Sequence, residues 1–343
     1  MGRAVFEARA RGKFLLTGEY FVLDGAEALA LPLRFGQTLR IEADAQGPKR
    51  LHWQSLDPDG TVWFEGEFQL PDLQPLKNSD AATAQTLSNI LQACYYPSPP
   101  PDIRRDELSL IPSRHSSGQA IPHPPSQITA FSQTDFPREW GLGTSSTLIA
   151  LLARWAGADP YRVLAETLGG SGYDIACAFA EGPILFQRHA GEAPAVKQVD
   201  YRPDFSEHLY FVFLGKKQNS REGIAHYRQW AENAGESAKS SAIERVTGLT
   251  RHFLSASSLG ALEAVLAEHE SLVSETLSLP KAKDQHFPDF WGQIKSLGAW
   301  GGDFVLATSP RSEAETRAYF AQKGFPVLLT WQDATSTGLK SLF

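Results

Sequence analysis

Only two cysteines, Cys94 and Cys177, occur in the 343 residues, and they form no CxxC pair. That excludes a disulfide scaffold or a zinc ribbon as the source of stability. No uncharged apolar run approaches the ~18 residues needed to span a bilayer. Arg3, Glu7, Arg9 and Arg11 interrupt the N-terminus, so no signal-peptide core is expected there. Phe6 stands where a myristoylation site that begins Met1-Gly2 carries Ser or Thr. An excess of positive charge is also missing. The 39 Asp and Glu outnumber the 32 Lys and Arg, for a net charge of -7, which argues against a general nucleic-acid binder. With 42% hydrophobic and 21% charged residues, the chain has the composition of a globular protein. At roughly 150 residues per domain its length suggests about two domains. The expectation is a cytoplasmic two-domain protein that needs neither membrane nor nucleic acid.

Several motifs of known chemistry fail by one or two residues. Gly12-Lys13 is followed by Phe14, which breaks a P-loop, and Gly141-Leu142-Gly143 meets Ser146 where a third glycine would complete GxGxxG. Ser171 is followed by Gly172-Tyr173, so no nucleophile elbow forms, and His269-Glu270 lacks a second histidine at 273.

The pattern that is present starts with strands. Val5 to Ala10, Lys13 to Leu16, Tyr20 to Leu23 and Thr38 to Ala43 read as extended segments, and Trp53, Trp63, Phe64 and Phe68 continue them around the turn Asp57-Pro58-Asp59-Gly60. A helix is expected over Asp80 to Ala93. Eight prolines between Tyr95 and Ser126 forbid a regular helix, so that stretch reads as a long loop or insertion. A strand over Gln127 to Phe136 leads into helical spacing from Thr147, and Asp159-Pro160 opens a further helix that Gly169 closes. Strands are expected at Ile184 to Arg188 and Leu209 to Leu214, then amphipathic helices from Arg221 to Leu279. A helix to Leu297, a strand at Phe304 to Thr308, a helix capped by Ser312 and Glu315 and stopped by Gly324, and a strand at Val327 to Thr330 complete the chain. Strands and helices segregate within each half, which favours an α+β architecture. The expected domains are 1–195 and 196–343.

Three glycine-rich places and several charged residues are candidates for chemistry. Gly141, Gly143, Thr144, Ser145 and Ser146 precede a helix, where unpaired N–H groups, hydroxyls and the helix dipole attract an anion and hydroxyls can reach Mg²⁺; Ser and Thr there are also ordinary caps. Gly169, Gly170 and Gly172 surround Ser171 and lead to Tyr173-Asp174, whose carboxylate can accept a hydroxyl proton or cap a helix. Gly298-Ala299-Trp300-Gly301-Gly302-Asp303 can bring backbone close to a ligand or simply turn the chain. Lys13, and the basic group Lys216, Lys217 and Arg221, can face an acidic ligand or water.

Taken in order, Gly12-Lys13 with Gly18-Glu19-Tyr20, then Pro137 to Ser145 with Gly141 and Gly143, then Gly170-Ser171-Gly172-Tyr173-Asp174-Ile175-Ala176, then Gly298-Ala299 with Gly301-Gly302, resemble the GHMP small-molecule kinases. The resemblance covers nearly the whole chain except the proline-rich stretch, and it is nearest to the mevalonate and phosphomevalonate kinase branch, with Tyr20 and the Ser171–Ala176 stretch like the latter. It implies a two-lobed α+β fold with a mixed N-terminal sheet, a ferredoxin-like C-terminal domain, and ATP and Mg²⁺ as cofactors.

The resemblance also implies residue roles. Gly141, Leu142, Gly143, Thr144, Ser145, Ser146, Gly298, Gly301 and Gly302 would hold the nucleotide. Asp174 and Lys13 would be catalytic. Glu19, Tyr20, Ser171, Gly172, Lys216 and Lys217 would meet a small-molecule acceptor, and Ser145 and Glu166 would meet the metal. The implied activity is phosphoryl transfer to a small or phosphorylated alcohol, mevalonate or phosphomevalonate foremost. A diphosphomevalonate decarboxylase and an inactive metabolite-binding homologue share this pattern, and a homodimer is compatible with it. Trp140 and Trp300 stand where relatives have small residues, and Asp303 stands where they have glycine.

Overall fold

The computed structural model describes residues 3–44, 46–95, 127–215, 220–298 and 303–335. Most of the proline-rich stretch, Lys216, Lys217, Trp300, Gly301 and Gly302 lie outside these residues. The chain forms two compact units that interleave in sequence: 1–10, 36–137 and 144–178 make the first, and 11–35, 138–143 and 179–343 the second. These segments differ from the sequence-based domains 1–195 and 196–343. Strands β1 (Arg3–Leu15) and β2 (Ala28–Asp44) supply residues to both units.

The first unit is a mixed sheet covered by helices. Its strands β3 (Arg50–Leu56), β4 (Val62–Gln69), β5 (Pro75–Asn78) and β6 (Gln127–Thr134) lie in the order β5-β4-β3-β6-β2. Only the β3–β6 pair among them is parallel. Period-two alternation sends Leu51 and Trp53 of β3 inward, as a half-buried strand requires. They meet Phe64, Phe68, Leu87, Leu91, Ile149 and Leu152 in one core. Helices α1 (Ala81–Tyr95), α2 (Thr144–Ala156) and α3 (Pro160–Thr167) supply the last four of these residues or pack beside them. The Asp159 side chain accepts from Tyr161 N, and Pro160 sits in the first helical turn, so α3 begins where local chemistry directs it.

The second unit contains β7 (Ile184–Gln187), paired antiparallel to Ala28–Ala30 of β2, and β8 (Ala195–Gln198) beyond it. Its main element is a four-stranded antiparallel sheet of β9 (Leu209–Phe213), β10 (Ile294–Leu297), β11 (Phe304–Thr308) and β12 (Leu328–Thr330), ordered β10-β11-β9-β12. With two long helical segments between β9 and β10 and one helix between β11 and β12, this is the ferredoxin-like arrangement. The long segments run Ser220–Ser255, broken by a left-handed Gly235, and Leu259–Leu277. The later helix, Glu313–Gln322, carries the Ser312–Glu315 capping box, which forms as the sequence predicts. Mixed β and α content, with an α+β arrangement, agrees with the expected fold class.

Two local expectations are corrected. Tyr20–Leu23 is not a strand; a 3-10 turn covers Phe21–Asp24, because Gly18, Tyr20 and Gly25 all adopt positive φ and bend the chain away from the extended form. The segment ending at Leu297 is not helical. Its last four residues pair with β11, Ile294 opposite Ala307 and Leu297 opposite Phe304, and these strand contacts outweigh the local helical pattern. Among the described residues, no helix is long and apolar enough to cross a membrane.

Candidate active site

In the first unit the candidate site residues stand at two helix starts. Helix α2 opens at Thr144, with Ser145 exposed and Ser146 buried. It is held to the sheet by Thr147, whose hydroxyl donates to Gln37 Oε1 at 2.6 Å, while Gln37 Nε2 donates to Ser132 Oγ at 2.6 Å. A short helix, α4 (Tyr173–Cys177), follows Gly172, which takes a left-handed φ of 91°. That turn places Asp174 in the first helical turn rather than at the cap. Its Oδ2 accepts a hydrogen bond from the Ser146 hydroxyl, and its Oδ1 accepts from Ile175 N at 3.0 Å. A half-buried carboxylate is thereby oriented against a hydroxyl at the start of a thirteen-residue helix.

Glu166 is engaged elsewhere. It pairs with Arg162 one turn earlier on α3 at 2.9 Å, and Arg162 also donates to Ala93 O at 2.9 Å. Ser171 is half-buried beside Gly172. Among the described residues, no group of three His, Cys, Asp or Glu side chains is arranged to hold a metal ion. Mg²⁺ that travels with a polyphosphate needs only one or two protein oxygens, and the Asp174 carboxylate with the Ser146 hydroxyl in contact with it would fit that demand.

The second unit holds Lys13 beside the glycine loop. Lys13 N donates to Leu142 O at 3.1 Å, and Lys13 Nζ reaches Gly141 O at 3.4 Å. Gly141 and Gly143 have φ of 66° and 98°, values that suit glycine. A Cβ at 143 would lie 3.3 Å from Lys13 Cε, and one at 12 would lie 2.9 Å from Leu142 O. Leu142 is buried, and Trp140 sits in an aromatic cluster with Phe35, Phe213 and Phe304 at centroid distances of 5.6, 6.4 and 5.7 Å. Trp140 therefore belongs to the core of this unit. Gly298 has a left-handed φ of 73°. The second unit also holds a cavity of about 950 Å³ lined by residues that include Arg11, Glu181, Tyr201, Arg202 and Trp331, and none of the predicted site residues lines it.

Glu19 and Tyr20 lie in the interior of this unit. The Tyr20 ring packs on Tyr227, with centroids 6.3 Å apart. Glu19 accepts a hydrogen bond from Lys295 Nζ, which also donates to Ser296 O at 2.9 Å; Glu19 is 1% exposed and Lys295 0%. Burial raises the Glu19 pKa, and the neighbouring ammonium opposes that shift. Gly18 N donates to His269 Nε2 at 3.1 Å. That nitrogen is thus an acceptor, so the ring is neutral with its proton on Nδ1, and the 3.4 Å approach of Nε2 to Glu19 is not an ion pair. Burial and Lys295 hold the His269 pKa well below its usual 6.5. Glu270 Oε1 accepts from Ser296 N at 2.8 Å, and burial pushes its pKa up to about 8. No sequence signal marks this cluster, because its partners are not adjacent in the chain and Ile294-Lys295-Ser296-Leu297 shows its burial only in the folded strand.

The cluster predicts a pH dependence of stability. Glu270 holds its proton in the folded state up to about pH 8, whereas unfolded it ionises near 4.5; its contribution is full below pH 4.5 and lost as pH rises to 8. Glu19 acts in the same direction. His269 acts oppositely, and its contribution is complete once pH exceeds 6.5. Between pH 6.5 and 8 the wild type should therefore lose about 2 kcal/mol, read as a falling Tm. Glu270→Gln should flatten that decline; a flat wild-type profile would show that Glu270 is already ionised at pH 6.5.

Neither a protein-family model nor a curated protein sequence matches this chain. Solved structures do match. A Leishmania major mevalonate kinase in complex with R-mevalonate shares 17% identity at a TM-score of 0.61, with 94% of each chain covered. A Streptococcus pneumoniae phosphomevalonate kinase in complex with phosphomevalonate and AMPPNP shares 15% at 0.63, covering 95% of this chain and 100% of that one. A Lactococcus lactis galactokinase complexed with galactose shares 11% at 0.60, covering 94% of this chain and 92% of that one. The chain has the fold of the GHMP kinases.

Proposed function

We propose that this chain is an ATP-dependent small-molecule kinase of the GHMP type, acting on a small alcohol. The observation that carries the reading is the Asp174 carboxylate fixed by the Ser146 hydroxyl at the start of α2, in a fold whose solved examples include sugar and mevalonate kinases. ATP supplies the phosphoryl group. The loop from Gly141 to Ser146 would hold its phosphates through backbone N–H groups and hydroxyls at a helix N-terminus, with Lys13 next to that loop adding positive charge. Asp174 would accept the acceptor's hydroxyl proton as the new oxygen–phosphorus bond forms and ADP departs. Positioning and electrostatics carry most of such a reaction. Mevalonate and phosphomevalonate are the acceptors to test first. That choice rests on the Ser171–Asp174 stretch and the Lys216-Lys217 pair, since Glu19 and Tyr20 are occupied inside the protein.

The test follows ADP release with ATP, Mg²⁺ and mevalonate, phosphomevalonate, diphosphomevalonate, homoserine or galactose. Release with one acceptor supports the kinase reading and names the substrate. Carbon dioxide evolved from diphosphomevalonate would assign the decarboxylase instead. Nucleotide binding without turnover on any acceptor would leave a metabolite-binding protein and remove the mevalonate assignment.

A further inference from the structure

The inward row of β2 changes character along its length. Leu39 and Ile41 enter the apolar core, whereas Gln37, next in the same row, is polar and also buried. The neighbouring strands change with it. Inward from β6, Ala130 is followed by Ser132 and Thr134, and inward from β3, Trp53 is followed by Ser55, which lies opposite Ser132. A polar patch thus interrupts an otherwise apolar sheet face within the first unit. Buried amides and hydroxyls stabilise a core less than leucine does, and each needs a partner. Trp53 Nε1 donates to Ser55 Oγ at 2.8 Å, and Gln37 Nε2 donates to Ser132 Oγ at 2.6 Å. The Gln37 oxygen accepts from the Thr147 hydroxyl, also at 2.6 Å. Gln37 therefore ties β6 to the first turns of α2, and Thr147 directly follows Ser146, the donor to Asp174.

We propose, resting on the kinase reading above, that Gln37 is a positioning residue: it sets the start of α2 on the sheet and so holds the Ser146 hydroxyl on Asp174. Ile149 and Leu152 also seat α2 on this core, but apolar contact is non-directional and permits small slides. A hydrogen bond weakens steeply as it bends, so the amide of Gln37 fixes what the apolar contacts leave free. The helix itself does not depend on Gln37. The Thr147 hydroxyl also lies 3.0 Å from Thr144 O, so its proton has a second acceptor when the amide oxygen is removed. The loss falls on the placement of the helix start, and with it on the Ser146–Asp174 contact.

The experiment uses Gln37→Met, which keeps the length and removes both polar ends, Thr147→Val, which keeps the shape, and the two combined. Leu87→Ala, a core truncation in α1 of the same unit, controls for general loss of stability. Hydrogen exchange is read at the amides of Leu148 to Leu151 in α2, and kcat is read on the acceptor found in the panel. Both single variants are expected to exchange about tenfold faster there and to lose about 10–10²-fold in kcat, the scale of a small misplacement. The combination should be no worse than either single change, because both cut one tie. In a Ser146→Ala background Gln37→Met should cost nothing further in kcat, since no hydroxyl remains to be positioned. Leu87→Ala should lower Tm and leave kcat near the wild-type value. Unchanged exchange in Gln37→Met overturns the proposal whatever the turnover, and so does faster exchange with unchanged kcat. An equal loss of kcat in Leu87→Ala also overturns it, because general loosening would then explain the effect. If the wild type turns over no acceptor, the kinase reading fails; faster exchange in both variants then still upholds the placement of α2 by Gln37, and unchanged exchange defeats both.

Discussion

Asp174→Asn is expected to lower kcat by about 10²–10⁴-fold, the range that a positioned general base contributes. The asparagine retains an oxygen to accept from Ser146, so the link between α2 and α4 survives while proton acceptance is lost. Affinity for nucleotide should change little. Asp174→Ala should show the same loss of turnover with a small additional destabilisation, because the buried Ser146 hydroxyl then lacks its acceptor. Ser146→Ala should cost less than either, since it removes the group that orients the carboxylate and leaves the carboxylate itself. Steady-state rates on the acceptor found in the panel, with circular dichroism as the check on folding, decide the matter. Turnover by Asp174→Asn near the wild-type rate would remove Asp174 from the chemistry.

The second large effect concerns stability. Lys295→Met should destabilise the second unit by about 3–5 kcal/mol, the cost of breaking a buried ion pair from one side. Glu19 would be left fully buried beside a neutral His269, with no cation to offset its desolvation. For a unit of this size the loss corresponds to a drop in Tm on the order of 10 °C. The double variant Lys295→Met with Glu19→Gln should recover a substantial part, because the penalty lies in the orphaned carboxylate more than in the missing attraction. Thermal unfolding of the two single variants and the double gives the coupling directly. A cost below about 1 kcal/mol for Lys295→Met would mean that water reaches the pair and that its burial is incomplete.

Lys13 and Glu19 are six positions apart, and the resemblance treats both as site residues. Lys13 lies along the glycine loop, whereas Glu19 turns inward to Lys295. The left-handed backbone at Gly18 and Tyr20 causes that change of direction. A Cβ at 18 would meet Ala28 Cβ at 2.5 Å, so the turn tolerates no side chain there.

What the sequence by itself determined is local or charge-based. The absence of cysteine pairs, positive excess and long apolar runs bounded the class of protein. Asp159-Pro160 fixed the start of α3, and Ser312 with Glu315 fixed the start of the last long helix, because a cap and its helix are neighbours in the chain. The glycine, serine and aspartate motifs indicated the GHMP kinase fold, because unusual backbone angles demand particular residues at particular spacings. Other features required the tertiary structure. Ile294–Leu297 became a strand through pairing with β11, whose residues are about ten positions further on. Glu19, His269, Glu270 and Lys295 came together from segments up to 276 positions apart. The Asp303 carboxylate likewise met Gly141 from a distant part of the chain. Sequence states which side chains a segment carries; burial and partnership depend on long-range packing, and that packing decides whether a carboxylate meets a hydroxyl at a helix start, as Asp174 does, or is sealed against a lysine, as Glu19 is.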